Sequence, residues 1–162
     1  MILKVTRLLP VFFSISMLVS CSEESRGFHE YESNKTLQEV MEDAEFAITE
    51  KNFRITGYLH IGKSIRDRGN TGFPSYEMIL FCNLSYAQEM LTIDPSFVNY
   101  CPQRISVREQ DQKIIIGTAL LPEQTGNRKM DDFAAKINTI LRDIVKYAAE
   151  EDLFLLDRDH EI

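Results

Sequence analysis

Two stretches of the chain carry apolar residues at the three- and four-residue spacing that places them on one face of a helix. The first spans about residues 36–51, and Thr36 and Glu39 stand at its start as the partners of a capping box do. The second begins at Met130 and is the strongest periodic signal in the sequence. Its apolar stripe consists of Phe133, Ile137, Ile140, Leu141, Ile144 and Ala148. We therefore predict two long amphipathic helices.

Five other segments have the alternation or the β-branched and aromatic content of strands. They are residues 28–32, 53–61, 76–82, 103–110 and 113–119. The last two flank Asp111 and predict a hairpin. In the second segment we expect Phe53, Ile55, Leu59 and Ile61 to pack in the core.

The sequence also indicates the kind of connection between these elements. A short helix capped by Asn83 or Ser85 carries Tyr86, Met90 and Leu91, and Asp94-Pro95 ends it. Residues 62–74 hold three glycines, a proline and several cations and predict a long loop, and 121–129 predict another.

The resulting order, β-α-β-β-α-β-β-α, indicates a single two-layer α+β domain over residues 28–152. It has an antiparallel sheet of about five strands with helices on one face. The tail 153–162 holds the apolar run Leu-Phe-Leu-Leu between acids. We expect this run to dock on the sheet, with extension of the last helix or exposure for a partner as the alternatives.

Residues 1–20 have the form of a signal peptide. Lys4 and Arg7 precede an uncharged run of about a dozen residues, which is shorter than the ~20 that span a bilayer. Leu-Val-Ser-Cys at 18–21 resembles the lipobox of bacterial lipoproteins, in which the cysteine is acylated. We therefore expect cleavage before Cys21, acylation of its thiol and a short tether over 21–27. Because Ser22 follows the cysteine, we expect the periplasmic face of the outer membrane, with the inner membrane as the alternative.

The net charge of the chain argues against two classes of binding partner, nucleic acid and anionic lipid. The net charge of the chain is −7, and removal of the two cations of the signal segment lowers it to −9. A protein this acidic lacks the basic face that nucleic acid requires. It also lacks a polybasic segment for anionic lipid. Membrane contact is therefore expected through the lipid on Cys21.

Segments across about residues 36–152 resemble a bacterial domain of unknown function, the family numbered 302. They include Asn-Phe-Arg-Ile at 52–55, Ile-Gly-Lys-Ser-Ile-Arg-Asp-Arg-Gly at 61–69, Ile-Leu-Phe-Cys-Asn at 79–83, Asp-Pro at 94–95 and Pro-Gln-Arg-Ile-Ser-Val at 102–107. The resemblance implies helices against a curved antiparallel sheet and frequent self-association, so a homodimer is compatible with it. It supplies no activity and no catalytic residues.

Residues 57–64, Gly-Tyr-Leu-His-Ile-Gly-Lys-Ser, match the phosphate-loop pattern. Such a loop curls between a strand and a helix so that its backbone N–H groups surround phosphate. The bulky, strand-forming residues between these glycines predict an extended chain instead. We therefore do not expect a nucleotide site.

Cys82 and Cys101 are the principal candidates for chemistry. One ends a predicted strand and the other precedes the next, so antiparallel pairing would bring both to one end of the sheet. A structural disulfide, two separate buried thiols and a working redox pair are the alternatives.

The remaining candidates are basic residues. Lys63, Arg66 and Arg68 form a cationic cluster that would suit a carboxylate or phosphate group, although pairing with nearby acids is the simpler interpretation. His29, His60 and His160 lack the local spacing of metal ligands. A site built from distant residues, such as His29 and His60 on neighbouring strands, is the one arrangement that stays open.

No set of residues converges on a reaction, and no cofactor is expected. We therefore expect a non-catalytic, membrane-tethered module that binds a small molecule or a protein. The alternative is a thiol- or metal-dependent redox protein that uses Cys82 and Cys101.

Overall fold

The computed structural model describes residues 27–150, which form five strands and four α-helices. The predicted signal peptide, Cys21, His160 and the tail from residue 151 lie outside this range. The strands are β1 Phe28–Ser33, β2 Arg54–His60, β3 Tyr76–Cys82, β4 Gln103–Gln110 and β5 Lys113–Ala119. The helices are α1 Leu37–Glu50, α2 Ile61–Arg66, α3 Leu84–Ile93 and α4 Arg128–Ala149, and a 3₁₀ helix spans Pro95–Tyr100.

All five strands belong to one antiparallel sheet in the order β1-β5-β4-β3-β2. The predicted fold, a single α+β domain with an antiparallel sheet of about five strands, is confirmed. The β4–β5 hairpin turns at Asp111 and Gln112, which both have positive φ angles. Two successive residues of this kind form the tight turn whose twist matches that of the flanking strands.

The two long helices pack side by side against this sheet. At the start of α1, Thr36 Oγ1 accepts a hydrogen bond from Glu39 N, and the Glu39 carboxylate accepts one from Thr36 N. The predicted capping box is therefore present. The sheet contributes fully buried Ile79, Ile105, Val107 and Ile116 to the shared core, and α4 contributes Leu141 and Ile144.

Two local expectations are wrong. Residues 62–74 are not loop throughout, because α2 occupies Ile61–Arg66. This helix has only six residues and no side-chain cap, so it carries no periodic signal. Leu59 and Ile61 are 45% and 40% exposed rather than packed in the core. Leu59 is exposed because β2 is an edge strand of the sheet, and Ile61 lies beyond β2, at the first position of α2.

Candidate functional site

The end of the sheet where β3 stops and β4 begins holds the two cysteines. Cys82 is the last residue of β3, and Cys101 lies between the 3₁₀ helix and Pro102, to which it is joined by a cis peptide bond. The pairing of Phe81 with Gln103 places the two cysteines side by side. Residues 83–100 leave the sheet and return between them.

The sulfur atoms of Cys82 and Cys101 lie 3.4 Å apart, and both residues are thiols. A disulfide has an S–S distance of about 2.0 Å, so a small approach of the two sulfurs would be needed to form one. Burial raises the pKa of Cys82 to about 11, and the neighbouring Cys101 contributes in the same direction. The thiol therefore stays protonated at neutral pH and lacks the depressed pKa of a reactive cysteine.

A cavity of about 20 Å³ adjoins the two thiols. It is lined mainly by apolar side chains from α3 and α4, among them Met90 and Phe133, with Phe53 beside them. A space of this size accommodates about one water molecule. The cavity therefore has no room for an organic substrate at the sulfur atoms.

The sequence did not indicate that Met90 and Phe133 would meet the cysteines. Both residues belong to stripes of helical periodicity, which identify a buried face but not its neighbours. Only the packing of α3 and α4 on this end of the sheet brings them to the thiols.

The cationic cluster at 63–68 falls on α2 and the residues after it. Lys63 Nζ donates a hydrogen bond to Asp67 Oδ2 at 2.6 Å, and Arg66 Nη1 donates one to the carbonyl of Phe73 at 2.8 Å. The side chain of Arg68 is exposed. Local partners thus hold two of the three cations that the sequence singled out.

The phosphate-loop pattern has a structural explanation. Its first half, through His60, is the extended strand β2, and α2 begins directly at Ile61. Ser64 Oγ donates a hydrogen bond to the carbonyl of His60, at 2.9 Å. Gly62 lies against the backbone of residues 74–76. The residues of the pattern therefore join a strand to a short helix.

The two described histidines are far apart. His29 is on β1 and His60 on β2, the opposite edges of the sheet, so the expectation of neighbouring strands is wrong. Four strand spacings separate them, about 19 Å. His60 Nδ1 lies 2.5 Å from Glu77 Oε2, and His29 makes an edge contact with Tyr31. Within residues 27–150, no three His, Cys, Asp or Glu side chains are grouped as metal ligands.

The sequence matches the family model described as "Domain of unknown function DUF302" over residues 29–148. The chain belongs to this family. The fold is similar to the crystal structure of an uncharacterised conserved DUF302 protein from Bacillus stearothermophilus, with a TM-score of 0.69. That comparison has 14% sequence identity and covers 76% of this chain and 98% of the other. No curated protein sequence matches.

Within the described part of this DUF302 chain, none of the helices has the length and apolar character needed to cross a bilayer.

Proposed function

We propose that this DUF302 protein is a lipid-anchored, non-catalytic binding or accessory module on the periplasmic face of the outer membrane. The observation that carries the proposal is the site at Cys82 and Cys101. Its cavity of about 20 Å³ leaves no room for an organic substrate beside the sulfur atoms, and the raised pKa of Cys82 disfavours a thiolate nucleophile. The signal segment and the lipobox-like residues 18–21 support the anchor. The domain would then present its surface to a small molecule or a protein.

Acylation is tested by metabolic labelling with a fatty-acid analogue. The wild-type protein is expected to carry the label and to fractionate with the outer membrane. Cys21→Ala is expected to abolish labelling, because the thiol is the acceptor of the lipid. Label that persists in Cys21→Ala overturns the anchor, and sedimentation with the inner membrane overturns the location. Cys101→Ala, which leaves Cys21 intact, is the matched control.

The proposal also assigns a structural role to the thiols of Cys82 and Cys101. In an oxidising compartment Cys82 and Cys101 form a structural disulfide. Each thiol loses one proton, and the two electrons pass to a disulfide of a partner oxidant, which is reduced to two thiols as the S–S bond forms. The separation of 3.4 Å supports this proposal, since the sulfurs are already adjacent.

Native mass spectrometry of the mature protein, purified from the periplasmic side without reductant, tests the disulfide. The expected mass is lower by two hydrogen atoms than that of the reduced protein, with nothing bound. Two free thiols would contradict the structural role. Two free thiols with a metal or small molecule retained would favour the alternative, a thiol- or metal-dependent redox protein.

A further inference from the structure

The start of the domain and the two cysteines lie at the same end of the sheet. In the strand register Phe28 pairs with Ala119, Phe81 with Gln103, and Arg54 with Cys82. We call this the tether end. The opposite end carries the Asp111–Gln112 turn and α2.

Large apolar side chains are exposed at the tether end. Leu84 is 83% exposed and lies two residues after Cys82, at the first position of α3. Val98 and Tyr100 are 54% and 37% exposed and lie just before Cys101. The contact between the two cysteines therefore brings the segments that carry these side chains to the same end of the sheet, where Phe28, 47% exposed, begins the first strand.

The chain also enters the domain at this end of the sheet. The carbonyl of Gly27 accepts a hydrogen bond from Leu120 N at 2.8 Å, which ties the start of the domain to the end of β5. Six residues, 22–27, separate Cys21 from Phe28. Six residues reach about 20 Å at most. An acyl group on Cys21 would therefore keep the tether end close to the lipid.

We infer that the tether end is a membrane-contact surface, on which Phe28, Leu84, Val98 and Tyr100 rest in the boundary between headgroups and acyl chains of the phospholipid bilayer. The inference rests on the proposed lipid anchor. Aromatic and aliphatic side chains at the surface of a protein favour this boundary. Arg54 and Arg104 are exposed at the same end, and their guanidinium groups would reach lipid phosphates.

This orientation determines which end of the domain faces away from the membrane. A strand of six or seven residues is about 20 Å long. The Asp111–Gln112 turn and the cations Lys63, Arg66 and Arg68 therefore face away from the membrane. They are presented to soluble partners in the periplasm.

The chain contains no tryptophan, so a single introduced tryptophan reports its own surroundings. Leu84→Trp places the probe on the tether end. Leu59→Trp places it on an exposed position of β2, near the opposite end, and is the matched control. Each mature, acylated variant is reconstituted into vesicles of phosphatidylethanolamine and phosphatidylglycerol, with and without bromine on the acyl chains. Flotation of the vesicles is measured first.

We expect Leu84→Trp to emit at shorter wavelength in vesicles and to lose most of its fluorescence to brominated lipid, while Leu59→Trp keeps its emission. Flotation without quenching of Leu84→Trp overturns the membrane contact but leaves the anchor intact. A shift to shorter wavelength without quenching also overturns it, because protein rather than lipid then covers the surface. Failure to float overturns the anchor and the contact together.

Discussion

At the scale of single residues, Gly62 shows how a motif can have a structural origin. A Cβ atom at this position would lie 2.5 Å from the carbonyl oxygen of Pro74 and 2.7 Å from Tyr76 N. Both are backbone atoms and have little freedom to move away. A Cβ at Gly57 would meet only Leu80 Cδ1, at 4.0 Å. The second glycine of the phosphate-loop pattern thus permits the close approach of α2 to β3.

Gly62→Ala is expected to destabilise the protein by about 1–3 kcal/mol, because the added methyl group overlaps backbone atoms. Gly57→Ala is expected to change the free energy of unfolding by less than about 1 kcal/mol, since its Cβ has room. Urea unfolding of the two variants and the wild type measures the difference. Equal losses in both variants would contradict the packing role of Gly62.

The thiol of Cys82 predicts a pH dependence in the reduced protein. Its pKa in the folded state is about 11, above the ordinary value of 9.0, because burial disfavours the thiolate. A group whose pKa is raised by folding contributes its full stability below the unfolded value and loses it as pH rises through the folded value. The stability of the reduced protein is therefore expected to fall between pH 9 and about 11.

Urea unfolding in reductant across this pH range measures the effect, with Cys82→Ala as the comparison. The wild type should lose more stability than the variant as pH rises. Parallel curves would show that the thiol ionises as freely in the folded chain as in the unfolded one.

At the scale of elements, the connection between β5 and α4 depends on one buried amide. Asn138, 1% exposed on α4, accepts a hydrogen bond from Leu121 N at 2.8 Å and donates one to the carbonyl of Leu121 at 2.8 Å. It also donates to Glu123 Oε1 at 2.6 Å. The Asn138 side chain therefore pairs with the N–H and C=O groups of Leu121, which no neighbouring strand pairs.

Asn138→Ala is expected to destabilise the protein by about 2–3 kcal/mol, because it leaves the buried N–H and C=O of Leu121 unpaired. Thr139→Ala, at the next, exposed position of α4, should stay within about 0.5 kcal/mol of the wild type. Thermal or urea unfolding compares them. A loss in Thr139→Ala as large as in Asn138→Ala would contradict the buried amide as the cause of the loss, since alanine has the higher helix propensity at both positions.

At the scale of the whole molecule, the proposed disulfide would close residues 83–100 into a covalent loop. This segment contains α3 and the 3₁₀ helix, and α3 packs against α4. A cross-link restricts the unfolded chain, and a loop of this length contributes about 3 kcal/mol. The same link would hold Leu84 and Tyr100 together at the tether end.

Reductant is expected to lower the melting temperature of the wild-type protein by roughly 10 °C, which corresponds to the loss of that constraint. The double variant Cys82→Ala with Cys101→Ala should melt at the same temperature with and without reductant. Differential scanning calorimetry measures both. A wild-type melting temperature that reductant leaves unchanged would contradict the disulfide.

The features predicted correctly from the sequence are those whose partners lie close along the chain. The capping box joins residues three positions apart, Asp94-Pro95 ends α3 within one bond, and the periodicity of α4 repeats every few residues. Such patterns act through local hydrogen bonds and through a buried face of fixed period. They were sufficient for the strands, the long helices, the fold class and the family resemblance.

The tertiary structure decided the features that depend on sheet order and close packing. It placed β1 and β2 at opposite edges, which separates His29 from His60 and exposes Leu59. It formed α2 by contact with β3 and brought Cys82 within 3.4 Å of Cys101. Alternation within a strand identifies a buried side but does not specify which strand lies beside it, because neighbours are chosen by the packing of the whole chain.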